Sequence, residues 1–274
     1  MRAAVLGRPV AHSLSPALHT AAYAALGLSG WSYTAVDCGE DELPGLLSRL
    51  GPDWAGLSLT MPLKRAALAA ADEVDPLAAA VGAANTLVLG RRRHAYNTDV
   101  AGIARALREV GITSPRSAVV LGAGGTAQAA LAALAVLGLA SAVVLVRDQA
   151  RAGDLLAAAD RLGIAVDLRA GLPGPVPAAE LVISTLPSGA ADGLRPPAGA
   201  AVLDVVYAPW PTPFAAAASA AGGTVVSGLA MLLHQAAGQV ELMTGRSAPL
   251  AAMRTALDAA VRAQSEKPPA PAGA

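Results

Sequence analysis

Apolar and polar residues follow two rhythms along this chain, short β-like runs and longer amphipathic ones, and their alternation predicts an α/β protein. In the first hundred residues strands are expected at 2–6, 32–38 and 55–59. One helix opens at Ser15-Pro16, with a hydroxyl N-cap and a proline at the first helical position, and runs to Gly27; two more are expected at 40–50 and 62–71. Residues 84–97 read as ANTLVLG, an arginine-rich turn and AYN, a hairpin whose second arm ends at Asn97-Thr98-Asp99. A helix over 100–110 and the punctuation GITSPRS close this unit.

A buried strand at 117–121 then runs into GAGGTAQAALAALAVLG, a glycine turn opening an apolar helix, with a further strand at 142–146. Strand, glycine turn, helix and strand within about 30 residues make a dinucleotide-binding βαβ unit. More strands are expected at 165–168, 181–184, 201–206 and 224–226, followed by long helices at 229–243 and 250–263 that extend past the βα repeat. Two α/β domains are expected, residues 1–100 plus 236–264 and a nucleotide-binding domain of residues 101–235, with a disordered tail at 265–274. The terminal helices are expected to pack back on the first domain.

Composition narrows the function without naming it. The chain has 274 residues, 54% of them hydrophobic but only 3% aromatic, so its core is aliphatic and alanine-rich. Twenty basic and twenty acidic residues cancel, which argues against nucleic acid or a charged membrane surface as partner and leaves a small molecule as the default ligand. Cys38 is the only cysteine, so no disulfide forms within the chain, and the N-terminus carries neither signal-peptide nor anchor pattern; a cytoplasmic protein is expected. No His, Cys or carboxylate set has ligand spacing, so no metal is expected.

The candidate chemistry concentrates at element ends. GLSLTMPLK, residues 56–64, is an apolar strand that breaks at Thr60-Met61-Pro62 and delivers Lys64, in a chain whose only other lysine is Lys267. A lysine amine at such a boundary is suited to proton transfer. Ser13 and Ser15, two hydroxyls at a helix start, can bind an anion such as a carboxylate; Thr60, Asn85 and Asp99 also close elements, and taken alone Ser15 reads equally well as a helix cap and Asp99 reads first as one. The turn Gly122-Ala123-Gly124-Gly125-Thr126-Ala127 matches G-x-G-x-x-A, the pyrophosphate-binding fingerprint. At the end of the following strand Arg147 and, one turn on, Arg151 suit the 2′-phosphate of NADP, while Asp148 suits the ribose of NAD; both cofactors stay open.

Taken together, AHSLSP (11–16), LTMPLK (59–64), VGAANTL (81–87), YNTD (96–99), GAGGTA (122–127), LDVVYAPWPTP (203–213) and GLAMLLHQAAGQVELMTG (228–245) resemble the shikimate dehydrogenase family over nearly the whole chain. The resemblance implies reversible NADPH-dependent reduction of 3-dehydroshikimate to shikimate, a step of chorismate and aromatic amino-acid biosynthesis, by a monomer or homodimer. It places substrate binding on Ser13, Ser15, Thr60, Asn85, Tyr207 and Gln235, and catalysis on Lys64 with Asp99. The cofactor positions it implies are Gly122, Ala123, Gly124, Gly125, Thr126, Arg147, Arg151, Ser184, Thr185, Gly228, which approaches the nicotinamide, and Met231. The sequence departs from the family pattern at Val146-Arg147-Asp148, at Ala208 and at Ser184-Thr185-Leu186-Pro187. An NAD-using quinate or quinate/shikimate dehydrogenase is the neighbouring reading; a non-catalytic NADP-binding regulator is a reading of a different class.

Overall fold

The computed structural model describes residues 1–265 and contains two six-stranded sheets. The first is built from β1 (Arg2–Gly7), α1 (Ser15–Ala25), β2 (Ser32–Asp37), α2 (Leu43–Leu47), β3 (Trp54–Leu59), α3 (Ala66–Ala69), β4 (Glu73–Val74), α4 (Pro76–Val81), β5 (Thr86–Val88) and β6 (His94–Tyr96). Its strand order is β2-β1-β3-β5-β6-β4, with β5 antiparallel to both β3 and β6 and the other pairs parallel. The hairpin expected over 84–97 is β5 and β6, and the pairing of β5 with β3 sets Ser58 opposite Thr86. Leu6, Leu57, Leu63 and Leu87 are fully buried on this sheet, each contributing about 1.5–3 kcal/mol of burial.

From the first sheet α5 (Asp99–Glu109) leads into β7 (Ala118–Leu121), α6 (Gly125–Val136), β8 (Ser141–Val146), α7 (Gly153–Leu162), β9 (Ala165–Ala170), β10 (Leu181–Ser184), β11 (Ala201–Asp204), α8 (Pro213–Ala220) and β12 (Val225–Ser227). All six strands are parallel in the order β12-β11-β10-β7-β8-β9. The order reverses at β7, where the glycine turn leaves the sheet, and a doubly wound sheet binds ligand at such a switch point. The chain returns through α9 (Gly228–Thr244) and α10 (Leu250–Ser265). Helix α9 packs along α5, and α9 and α10 cover α1 through Leu14, Leu18, Leu233, Val240, Met253 and Leu257. The two helices that join the sheets are thus the two that carry Asp99 and Gln235.

Several elements differ from the sequence reading. The helix expected at 62–71 is only Ala66–Ala69. The carbonyl of Lys64 is taken by the Ala84 N–H at 2.8 Å, and the Leu68 N–H turns to Arg65 instead, so Lys64 sits in a turn before any helix. The helix expected at 40–50 is a 3-10 turn at Glu40–Glu42 followed by α2, which Pro44 opens. Strand β4 and helices α4 and α7 had no counterpart in the sequence reading. Of the tail expected at 265–274, Ser265 instead closes α10, and 266–274 lie outside the described residues.

Candidate active site

Lys64, Asp99 and Asn85 form the centre of the site. Strand β3 ends at Leu59, and the turn behind it brings the Lys64 Nζ to 2.6 Å from Asp99 Oδ2, the lysine side chain 18% and the aspartate 5% exposed. Asp99 is free for this pairing because Asn97, two residues earlier, caps α5: its Oδ1 accepts from the N–H groups of Asp99 (3.0 Å) and Val100 (3.4 Å). The capping alternative for Asp99 is therefore replaced by a carboxylate aimed across the sheet end. Its second oxygen accepts from Asn85 Nδ2 at 2.8 Å, while Asn85 Oδ1 accepts from the Thr98 N–H at 2.8 Å, which orients the amide. Gln235, on α9, accepts from Asn85 Nδ2 at 3.3 Å and donates to the Leu232 carbonyl.

These groups line a cavity of about 340 Å³ between the two sheets. Ser13, Ser15, Thr60, Lys64, Asn85, Asp99, Tyr207 and Gln235 all reach its wall, as do Thr126, Gly228 and Met231. Ser15 does not cap α1. It is the first residue of the helix, after Leu14 at the N-cap position; its N–H donates to Ser13 Oγ at 3.3 Å, and both serines line the cavity at the helix start. Burial raises the phenol of Tyr207 above its ordinary range, keeping it a neutral hydrogen-bond group.

The nucleotide turn faces this cavity. Gly122 has φ +105°, a backbone region open to glycine, and a Cβ there would stand 2.7 Å from the Thr185 hydroxyl. Helix α6 has Gly124 at its N-cap position, with no side-chain cap on its first N–H groups, and the space a Cβ at Gly124 would take is empty, so backbone and ligand can approach closely there. A pyrophosphate fits that cradle. Thr126, in the first turn of α6, accepts from Lys64, Nζ to Oγ1 3.4 Å, which ties the nucleotide turn to the reacting amine. Arg65, the next residue, pairs with Asp154 on α7 at 2.5 Å and bridges the two halves from outside.

At the end of β8, Arg147 and Arg151 are exposed and make no ion pair among the described residues. The Asp148 carboxylate accepts from the Ala150 N–H at 2.9 Å, capping a 3-10 turn at Gln149–Ala152. The acid is thus engaged by its own backbone, while both arginines are exposed.

Three expected cofactor positions stand differently. Ser184 is fully buried beside Asp204, which burial raises above the ordinary carboxylate range, so its hydroxyl does not reach the cleft. Thr185, next along, donates to the Leu121 carbonyl at 2.7 Å and supports the Gly122 turn. Gly228 lines the cavity, but its bare Cα is required by Val205: an added Cβ would lie 2.1 Å from that carbonyl oxygen. Ser58 and Gln239, which carry no mark in the sequence, also line the cavity, and His19 approaches Gln239 Oε1 at 3.3 Å. His234 is buried on α9 with its Nε2 3.0 Å from Glu109 Oε1, away from the cavity. Among the described residues no group of three or more His, Cys, Asp or Glu is poised to hold a metal, and no helix is long and apolar enough to cross a membrane.

A parallel nucleotide-binding sheet facing a lysine–carboxylate pair across a cleft defines a two-domain α/β dehydrogenase. The family profile described as "Shikimate dehydrogenase substrate binding domain" matches residues 5–87, and that of "Shikimate 5'-dehydrogenase C-terminal domain" matches 228–257. A relative from Moorella thermoacetica named shikimate dehydrogenase (NADP(+)) is 40% identical, covering 97% of this chain and 96% of its own. The crystal structure of Mycobacterium tuberculosis shikimate dehydrogenase superposes with TM-score 0.84 at 48% identity, covering 94% of this chain and 98% of that one. The Thermus thermophilus enzyme in complex with NADP(H) and shikimate gives 0.82 at 38%, covering 95% and 99%. The chain belongs to the shikimate dehydrogenase family.

Proposed function

We propose that this protein catalyses the reversible NADPH-dependent reduction of 3-dehydroshikimate to shikimate. The observation that carries the reading is the 2.6 Å Lys64–Asp99 pair, held in the wall of a cavity whose other side is the nucleotide turn. NADPH, when bound, supplies the hydride. The reduced carbonyl oxygen must then gain a proton, and Lys64 Nζ is the group that delivers it. In the same position the ammonium stabilises negative charge as it develops on that oxygen. Asp99 holds Lys64 in place and accepts a hydroxyl of the substrate, so proton donor and ring keep one register. Ser13 and Ser15 take the substrate carboxylate at the start of α1, and Thr60, Asn85, Tyr207 and Gln235 offer hydrogen bonds to its hydroxyls.

On the nucleotide side, the N–H groups at Gly122 to Thr126 receive the pyrophosphate, and Arg147 with Arg151 pairs with the 2′-phosphate. The capping role of Asp148 favours NADP over NAD, and the names of the relatives agree. Thr185 acts by supporting the turn, Met231 by closing the cleft, and Gly228 by letting α9 start against Val205. The division into 1–100 plus 236–264 and 101–235, a cytoplasmic location and a monomer or homodimer complete the proposal. Assaying shikimate and quinate against NADP+ and NAD+ tests it: the shikimate–NADP+ combination is expected to exceed the other three by about tenfold or more, on the order of one strong hydrogen bond. Preference for quinate with NAD+ would replace this reading with the quinate one, and absence of all four activities would favour a nucleotide-binding regulator.

A further inference from the structure

Gln239 is 1% exposed and lies one helical turn beyond Gln235, on the cavity floor. A carboxamide offers two N–H donors and two lone pairs, and this one uses all four inside the protein. Its Nε2 donates to the Asn85 carbonyl and to Thr86 Oγ1, each at 3.1 Å. Its Oε1 accepts from Ser58 Oγ at 2.8 Å and from His19 Nε2 at 3.3 Å. Behind these, Tyr33 donates to Ser58 at 2.6 Å, and Tyr23 stands 3.5 Å from His19 Nδ1. Burial drives the imidazole of His19 down to about 3, so it is neutral and can donate through one nitrogen while accepting at the other.

Followed forward, the bonds keep one direction. Thr86 Oγ1 accepts from Gln239, so its own proton goes to Asn85 Oδ1 at 2.9 Å. That oxygen, filled by Thr86 and by the Thr98 N–H, leaves only the Asn85 NH2 for Asp99. Asp99 then presents its other oxygen to Lys64. The donors at every step point toward the carboxylate.

We infer that Gln239 is a positioning residue for the Lys64–Asp99 pair, acting through Thr86 and Asn85: it turns the Thr86 hydroxyl onto Asn85 Oδ1 and so reinforces the amide orientation, set by the Thr98 N–H, that fixes the carboxylate against the lysine. The inference rests on the functional reading above and adds to it a residue that touches neither Lys64 nor Asp99. Each step ties an element to the pair: α9 through Gln239, β5 through Thr86, β3 through Ser58 and α1 through His19. A purely structural hub would support folding and leave the chemical step alone.

The experiment compares wild type, Gln239→Leu, Thr86→Val and the double variant by kcat and KM for shikimate with NADP+, alongside thermal melting. Each single change is expected to lower kcat by about 5- to 50-fold, the range of one misaligned hydrogen bond, with the KM for shikimate within about threefold. The double variant is expected to be no slower than the slower single, because both cut the same chain. Wild-type kcat with only a lower melting temperature, a change confined to KM, or multiplying effects in the double variant would overturn the inference. Should Gln239→Leu fail to fold, the near-isosteric Thr86→Val decides alone, and unchanged kcat there overturns it. A wild type inactive with shikimate fails the functional reading and this inference with it, whereas an active wild type with unaffected variants fails the inference only.

Discussion

Replacing Asp99 by Asn removes one charge and one acceptor while keeping the shape, and the geometry fixes the consequence. Each carboxylate oxygen has its own donor, Lys64 Nζ at 2.6 Å on Oδ2 and Asn85 Nδ2 at 2.8 Å on Oδ1. A carboxamide has a single accepting oxygen, so either orientation sets its NH2 group against one of those two donors. Breaking one side of a buried, hydrogen-bonded charge pair costs about 3–5 kcal/mol, and at about 1.36 kcal/mol per decade that is about 10²- to 10³-fold in kcat if most of it falls on the chemical step. Helix α5 is expected to survive, because Asn97 rather than Asp99 caps it. The assay is steady-state oxidation of shikimate followed by NADPH absorbance, with a separate fluorescence titration of NADPH, whose affinity is expected within about threefold of wild type because Asp99 faces the substrate half. A folded Asp99→Asn protein with turnover within about threefold of wild type would refute the assignment of this carboxylate to the reacting centre.

Three further outcomes are expected. His19 has its folded pKa lowered to about 3 from 6.5, so the unfolded chain binds the extra proton: its contribution to stability is full above pH 6.5 and falls by about 1.4 kcal/mol per unit as pH drops toward 3. His19→Gln should flatten that slope in urea unfolding at about pH 7 and pH 5, and an unchanged slope would count against the buried neutral imidazole. Arg147→Ala should raise the KM for NADP+ by about 10- to 100-fold and leave NAD+ kinetics alone, as expected for one charge-assisted phosphate bond; equal losses with both cofactors would contradict it. Gly228→Ala, whose Cβ would stand 2.1 Å from the Val205 carbonyl oxygen, should cost about 1–3 kcal/mol by pushing α9 off its start, and an unchanged melting temperature would show that the contact relaxes freely.

Much of this molecule was readable because its local signals agree with its packing. The apolar runs at β1, β3, β7 and β10 are buried nearly throughout, and such runs are legible without tertiary knowledge. The glycine turn was legible because Gly122 needs a positive φ that its letter already announces. Helix α4 was missed although Asp75 caps it through the N–H groups of Leu77 and Ala78 and Gly82 ends it in the left-handed region; at six residues it is too short to show a period. The turn holding Lys64 was misread as helix because the partner of its carbonyl, Ala84, lies on the far side of α3, β4 and α4. The same limit hid Gln239: a glutamine in an apolar helix carries no local mark, and its partners come from β3, β5 and α1. Asp99 was found as a residue, but its freedom from capping duty depends on where Asn97 points.

The central claim is that Lys64 delivers the proton in carbonyl reduction. Its most direct test is turnover of Lys64→Ala measured beside NADPH affinity. The account predicts a kcat lower by about two to four orders of magnitude, the scale of lost acid–base catalysis, with NADPH binding within about threefold of wild type. Turnover like that of the wild type in a folded Lys64→Ala protein would contradict it.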